Sequence, residues 1–586
     1  MKKLLTGNEA IARGAWEAGA LVCSAYPGTP STEIIENAAK YTEMYAEWSP
    51  NEKVALEVGA GASIAGARAL VAMKHVGVNV AADPLFTLAY TGVNGGLVLI
   101  SADDPGMHSS QNEQDNRHFG RAAKVPVLEP SDSQESKDFT KVAFDLSENF
   151  DTPVMVRITT RVAHSQSLVN LSDRQETGLK KYEKNALKYV MIPAHARHRH
   201  IDVEARLEKL REYAETTPLN RIEWNDTKIG IITNGITYQY VKEVLKGASI
   251  LKLGITFPLP RKMISEFSKR VDKLYVIEEL EPFIENHIRS WGIEVHGKDV
   301  FPAIGEILPE TISEKMREFS ENIQLFSQQT DPPLNTPVRP PVLCPGCPHR
   351  GLFYVLNKLK VTVAGDIGCY TLGSLAPLNA IDTTICMGAS IGAAIGMEKA
   401  RGKDFARKLV AVIGDSTFIH SGITGLINTV YNKATTTTII LDNRTTGMTG
   451  HQDNPATGLT VKGDPIKEVD LVLLAKAVGV ERVVVVDPFD LEKLENVIKN
   501  ELAAEEPSVI ITKRKCALIE KNKNTTPCFI LEESCTGCMR CMRLGCPCII
   551  KEGKKVRINS TQCAGCELCV SVCNSGAIGK EGLIDV

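Results

Sequence analysis

Over the first 190 residues the apolar positions keep changing period. NEAIARGAWEAGA (8–20) has helical spacing, and LVCSAYPGTPST (21–32) is an apolar run that breaks into a Pro-Gly loop. ALEVGAGASIAGARALVAM (55–73) is a small-residue run that predicts a closely packed helix. GGLVLISADDPG and TPVMVRITT predict strands. This alternation predicts an α/β domain with a largely parallel sheet over 1–190. Residues 191–225 are charged and His-rich, and predict a solvated connection containing a helix.

From Lys228 the pattern restarts. KIGIITNGITYQYVKEVLK reads as strand, Gly turn and helix, and DKLYVIEEL as another strand, so 191–330 is a connection followed by a small α/β domain. The prolines between Pro332 and Pro345 mark a semi-rigid boundary. A third α/β block fills 331–520, with strands expected at KLVAVIGDS, TTTTIILDN, VERVVVVDP and PSVIITKRK. Residues 528–586 form a compact Cys-rich module.

Composition narrows the function. The chain has 586 residues and a formal net charge of −3, which excludes a strongly basic nucleic-acid binder. No stretch approaches the ~20 apolar residues of a membrane span. Glu9 and Arg13 interrupt any signal-peptide core, so a soluble, cytoplasmic protein is expected. Of 16 cysteines, ten lie between Cys528 and Cys573. In a reducing compartment, clustered thiols bind metal more often than they pair.

Their spacing is a duplication: Cys535-x2-Cys538-x2-Cys541-x4-Cys546, then Cys563-x2-Cys566-x2-Cys569-x3-Cys573. Three closely spaced thiolates can wrap one corner of an iron–sulfur cube, and the fourth of each run serves the other cluster. This assigns Cys535, Cys538, Cys541 and Cys573 to one 4Fe–4S cluster, and Cys563, Cys566, Cys569 and Cys546 to a second. Zinc is the alternative for CxxC pairs. The tail resembles a bacterial-type two-cluster ferredoxin, with an extra residue before Cys546 and Asn574 in place of a proline after Cys573. Cys528 and Cys548 have no assigned role.

Gly414-Asp415-Ser416 follows one expected strand, and Asn443 closes the next. In a parallel sheet both face the crevice at the C-terminal strand ends. Asp415 and the amide oxygen of Asn443 are hard ligands suited to Mg²⁺, and a helix starting near His420 could turn its amides toward a diphosphate. A simple GDS turn is the alternative.

The GDS…LDN spacing resembles the thiamine diphosphate motif. With CPGCPHRG (344–351), GDIGCYTLG (365–373), GDSTFIHSG (414–422) and TTGMTGHQ (445–452), it resembles the 2-oxoacid:ferredoxin oxidoreductases over nearly the whole chain. The resemblance implies two thiamine-diphosphate-binding domains, of pyrimidine and diphosphate type, and a backbone carbonyl of Thr445 as a further Mg²⁺ ligand. It implies that Glu57 faces the aminopyrimidine as the catalytic acid, although a helix-dipole role explains a glutamate there equally well. It also implies that Thr29 of AYPGTPST contacts substrate, where a plain turn is the alternative. Cys344, Cys347, Cys369 and Cys516 match positions that hold a proximal cluster in some relatives, and whether they do so here stays open.

The implied reaction is oxidative decarboxylation of an aryl 2-oxoacid, foremost indole-3-pyruvate, with coenzyme A and oxidised ferredoxin giving indole-3-acetyl-CoA, CO₂ and reduced ferredoxin. A smaller (beta) subunit is implied as partner. A non-oxidative thiamine-dependent decarboxylase or lyase, or a non-catalytic electron-transfer subunit, are the rival readings.

Overall fold

The computed structural model describes residues 1–317, 319, 337, 340–520 and 526–580. The Pro-rich boundary expected at 332–345 therefore lies largely outside the described residues. The chain divides into two compact units, Met1–Leu334 and Asn335–Val586.

The first unit is built on a seven-stranded sheet. Its order is Ile255–Phe257, Val127–Leu128, Val154–Thr159, Leu97–Asp103, Ala69–Lys74, Val22–Ala25 and Tyr45–Trp48. All neighbours are parallel except the first pair. Leu97–Asp103 and Val154–Thr159 are buried at every position, as expected of strands covered by helices on both faces. The run 55–73 is not one helix, as expected from sequence, but a helix Glu52–Ile64 followed by the strand Ala69–Lys74. Gly66, at φ 101°, turns the chain where the helix stops. A short, fully buried apolar run such as ALVAM has no period that tells strand from helix.

The charged connection forms a 24-residue helix, Pro193–Thr216, with Val203, Leu207, Leu210 and Ala214 on its buried face. A four-stranded sheet follows, in the order Lys273–Ile277, Asp226–Asn234, Ala248–Leu253 and Arg221–Glu223. Its continuation, Ile255–Phe257, joins the edge of the larger sheet, so Leu251, Leu253 and Phe257 share one core with Leu97 and Val127.

Charges are buried where these sheets meet. Arg157 donates from Nε to Asp103 and from Nη1 to Glu129, both at 2.6 Å. Arg117 forks onto Asp115 and reaches Glu278. Nearby Glu279 is pushed up to about 7 by burial, against the opposing pull of Arg157.

The second unit carries a five-stranded parallel sheet. Its order is Thr362–Ala364, Leu409–Gly414, Thr437–Asp442, Ser508–Lys513 and Arg482–Val486. The Cys-rich tail packs against it in the same unit. Cys528–Ile530 pairs antiparallel with Ile578–Lys580 to close the tail, and Ile549–Glu552 forms a hairpin with Lys555–Ile558. Among the described residues no helix is long and apolar enough to cross a membrane.

Replacing Arg157 by Leu leaves Asp103 buried without its cation and Glu129 with only Arg117, 3.9 Å away. Stability should fall by about 3–5 kcal/mol, the usual result of removing one partner from a buried ion pair. A denaturant midpoint unchanged from wild type would show that these carboxyls need no counter-charge.

Candidate active site

Strands Leu409–Gly414 and Thr437–Asp442 are parallel neighbours with Gly414 opposite Leu441. Asp415 and Asn443 therefore leave the sheet side by side at its C-terminal edge. The helix after Gly414 begins at Asp415, earlier than the start near His420 expected from sequence. It runs through a π turn, Phe418–Gly422, into Ile423–Tyr431. The π turn widens the helix without ending it, which local sequence does not reveal.

Asp415 is buried, and its carboxylate accepts from the backbone N–H of Ser416 at 2.8 Å and of Arg444 at 3.1 Å. Burial, reinforced by the charge of Asp442, pushes it up to about 7. The amide oxygen of Asn443 sits 2.9 Å from the carbonyl oxygen of Thr445 and 3.2 Å from Oδ1 of Asp415, while its nitrogen lies 3.5 Å from Nε2 of His349. Turning the amide over would let its nitrogen donate to both oxygens. Left as it stands, the amide oxygen has two other oxygens near the edge length, ~2.9 Å, of an octahedron with 2.0–2.1 Å bonds. His349 is buried and pushed down to about 4 by desolvation, so it is a neutral imidazole whose Nε2 pairs with the amide nitrogen in one tautomer and with the amide oxygen in the other. Sequence reasoning assigned His349 no role; its only signal was its place in CPGCPHRG.

A group of thiols adjoins this set. The backbone N–H of Cys516 donates to the carbonyl of Asn443 at 3.0 Å, and that of Cys347 to the carbonyl of Cys344 at 3.1 Å. Burial pushes the Cys347 thiol up to about 12 and Cys369 to about 11, with Cys344 and Cys516 close enough to add to both rises. The four cysteines singled out from sequence thus gather beside Asn443.

In the tail the two sets assigned from spacing line two separate cavities. Cys535, Cys538, Cys541 and Cys573 line one. Cys546, Cys563, Cys566 and Cys569 line the other, together with Pro345, Gly346, Cys347 and Arg350. Cys528 and Cys548, which spacing left unassigned, line the second cavity too. Among the described residues no three His, Cys, Asp or Glu side chains converge tightly enough for a single metal ion.

Glu57 and Thr29 belong to the first unit. Glu57 is exposed on the helix Glu52–Ile64 and paired with Lys53 one turn earlier. Thr29 is half-buried in a loop fixed by Gly28, whose N–H donates to Thr32 Oγ1 at 3.0 Å and whose carbonyl accepts from Ser31 Oγ at 2.8 Å. The stem of Lys74 runs beside Gly28, where an added Cβ would meet it at 3.0 Å. Burial pushes the Lys74 amine down to about 8, although Asp104 pulls it up. Sequence reading did not single out Lys74, a lone cation closing an apolar strand.

Residues 13–213 match the family model for the thiamine-diphosphate-binding domain of pyruvate flavodoxin/ferredoxin oxidoreductases. Residues 366–512 match the C-terminal thiamine-pyrophosphate-binding domain of thiamine pyrophosphate enzymes. Indolepyruvate oxidoreductase subunit IorA of Archaeoglobus fulgidus is 43% identical over 98% of this chain and 97% of its own length. The IorA subunit of Pyrococcus horikoshii is 42% identical over 99% and 97%. The chain belongs to the IorA family of indolepyruvate oxidoreductase subunits. It is thus a subunit of a thiamine-diphosphate-dependent oxidoreductase, with two domains of thiamine-binding type. A solved 2-oxoglutarate:ferredoxin oxidoreductase from Magnetococcus marinus has a TM-score of 0.46 and 18% identity, over 54% of this chain and 65% of that one.

Within this IorA-family site, Asp415 gives a pH signature. An acid whose folded pKa is raised favours the folded chain when protonated. That stability is lost as pH rises from the usual carboxylate range to about 7. Without divalent cation, the denaturation midpoint of Asp415→Asn should therefore gain on wild type between about pH 5 and pH 7.5. Parallel curves would show that Asp415 titrates as an ordinary surface acid.

Proposed function

We propose that this chain, with a smaller subunit, oxidatively decarboxylates aryl 2-oxoacids, indole-3-pyruvate foremost. Coenzyme A takes the acyl group, CO₂ leaves, and electrons pass singly to external ferredoxin. The observation that carries this reading is one continuous arrangement in the second unit. The oxygens of Asp415, Asn443 and Thr445 adjoin a four-thiol group, and that group's CPGC loop walls a thiol-lined cavity in the tail. A non-oxidative lyase has no use for such a sequence of thiols.

The residues fit the groups the family requires. Asp415, Asn443 and the Thr445 carbonyl present three hard oxygens for Mg²⁺, leaving room for phosphate oxygens and water. Bound thiamine diphosphate supplies the carbanion chemistry of decarboxylation. Glu57, exposed in the first unit, would hold or give a proton to the aminopyrimidine of the bound cofactor. Thr29 orients the substrate through its hydroxyl. The tail is a ferredoxin-like module whose two cysteine sets each hold a 4Fe–4S cluster. The walls of its two separate cavities follow the crossed assignment expected when the fourth cysteine of each run serves the other set. Cys344, Cys347, Cys369 and Cys516 hold a third cluster nearest the thiamine site.

The test is turnover of a 2-oxoacid panel by protein co-expressed with its partner subunit, under anaerobic conditions. Aryl substrates should require both coenzyme A and ferredoxin; CO₂ release without either would make the enzyme a lyase. In the same assay Glu57→Gln should keep thiamine diphosphate but lose at least ~100-fold in turnover. Turnover within a few-fold of wild type would return Glu57 to a structural role.

Iron content tests the third cluster. The full chain should hold about twelve irons and Cys347→Ser about eight. About eight in both would leave the four-thiol group without a cluster.

A further inference from the structure

Arg350 follows the CPGC loop and is almost wholly buried, at 3% exposure. Its Nη1 donates to the carbonyl of Leu544 at 2.6 Å, in the tail. Its Nη2 donates to the carbonyls of Leu343 at 2.6 Å and Cys344 at 3.0 Å. The Nε–H has no partner. Every bond it makes is to a neutral carbonyl oxygen. In the first unit the buried Arg117 and Arg157 each hold carboxylates, whereas Arg206, like Arg350, donates only to carbonyl oxygens. A buried cation without a counter-charge is costly, so a negative group placed beside it is stabilised.

What surrounds Arg350 is thiols. It lines the cavity of Cys546, Cys563, Cys566 and Cys569. On its other side it donates to the carbonyl of Cys344, in the four-thiol group. It therefore stands between the four-thiol group and the nearer tail set. Gly346, at φ 71°, brings the loop close enough that an added Cβ would lie 3.1 Å from Ala564 and 3.9 Å from the Cβ of Cys566.

We propose that Arg350 is the built-in counter-cation of the electron path, raising the reduction potential of the cluster held by Cys546, Cys563, Cys566 and Cys569. The inference rests on the cluster reading given under Proposed function. No bond forms or breaks in the step it acts on. One electron arrives, the negative charge beside the guanidinium grows by one, and a fixed positive charge in a poorly solvated site favours that state. The charge thereby draws electrons out of the thiamine site and into the tail. The Nε–H, unused by protein, is free to donate to a cluster or cysteine sulfur, a second influence in the same direction.

The experiment is an anaerobic potentiometric titration of the full chain followed by electron paramagnetic resonance, with iron analysis as control. Arg350→Gln keeps a donor for the carbonyls but removes the charge. It should move one tail cluster to a more negative potential by at least the 59 mV that equals tenfold in a one-electron equilibrium. The cluster of Cys535, Cys538, Cys541 and Cys573 should stay unmoved as the internal reference. Arg350→Lys keeps the charge and loses the fork, and should stay near wild type. Unchanged potentials in a fully loaded Gln variant, or a Lys variant shifted as far as Gln, would make Arg350 a structural staple only. If the Gln variant loses iron, the Lys variant decides alone: a wild-type potential supports the charge, and a negative shift overturns it. A wild-type chain without iron would overturn the cluster reading itself, and the role of Arg350 with it.

Discussion

Three parallel strands that stop at one level govern the second unit. Gly414 is paired with Leu441, and Asp442 with Lys513, so the residues that follow emerge along a single edge. Asp415 and Asn443 are those residues, and three residues past Lys513 the N–H of Cys516 donates to the carbonyl of Asn443. A slip of one residue would turn each side chain to the other face of the sheet. The strands cannot slip cheaply, because Leu409–Gly414 and Thr437–Asp442 are buried at every position. Hydrophobic burial, with no chemistry of its own, thus fixes where the hard oxygens and the soft thiols stand.

That edge collects groups that burial disfavours. Asp415 and Asp442 are both raised by burial, and the charge of Asp442 adds to the rise of Asp415. Asp442 Oδ1 has no hydrogen-bond partner, though Arg444 Nε stands 3.5 Å away. The first unit surrounds its buried acids with arginines, although Asp103, Glu278 and Glu279 are raised there too. There Arg117 and Arg157 sit among Asp103, Asp115, Glu129 and Glu278, and Asp115 is held well below the usual carboxylate range despite burial. Paired buried charges join the two sheets of that unit.

Where periodicity or spacing carried the signal, the sequence was legible. Strands such as KLVAVIG and TTTTIILD and the long helix of the charged connection appear where expected, and the doubled cysteine spacing separates into two cavities. Where two elements share one composition it was not: residues 55–73 read as a single helix because ALVAM is apolar at every position. His349, Lys74 and Arg350 were invisible for another reason. Their meaning lies in what long-range packing leaves them facing, and no local pattern records that. Cys528 is a further case: it lies seven residues before the first run, yet the closing strand pair brings it to the wall of the second cavity.

The irregular spacing of the tail has a physical reading of the same kind. The first run carries one more residue before its fourth cysteine than the second does. That longer interval holds the 3-10 turn Cys541–Leu544 and then Gly545 in the left-handed region, at φ 63°. The Leu544 carbonyl is turned outward by this path, and it is the one that accepts from Arg350. Any side chain at Gly545 would meet Pro377 at 2.9 Å and Arg350 at 3.4 Å. The departure from regular spacing therefore lies where the tail docks on its own sheet domain. An interval that looks like a flaw in a free-standing module becomes, in a fused one, the contact that holds the tail cavity against the CPGC loop.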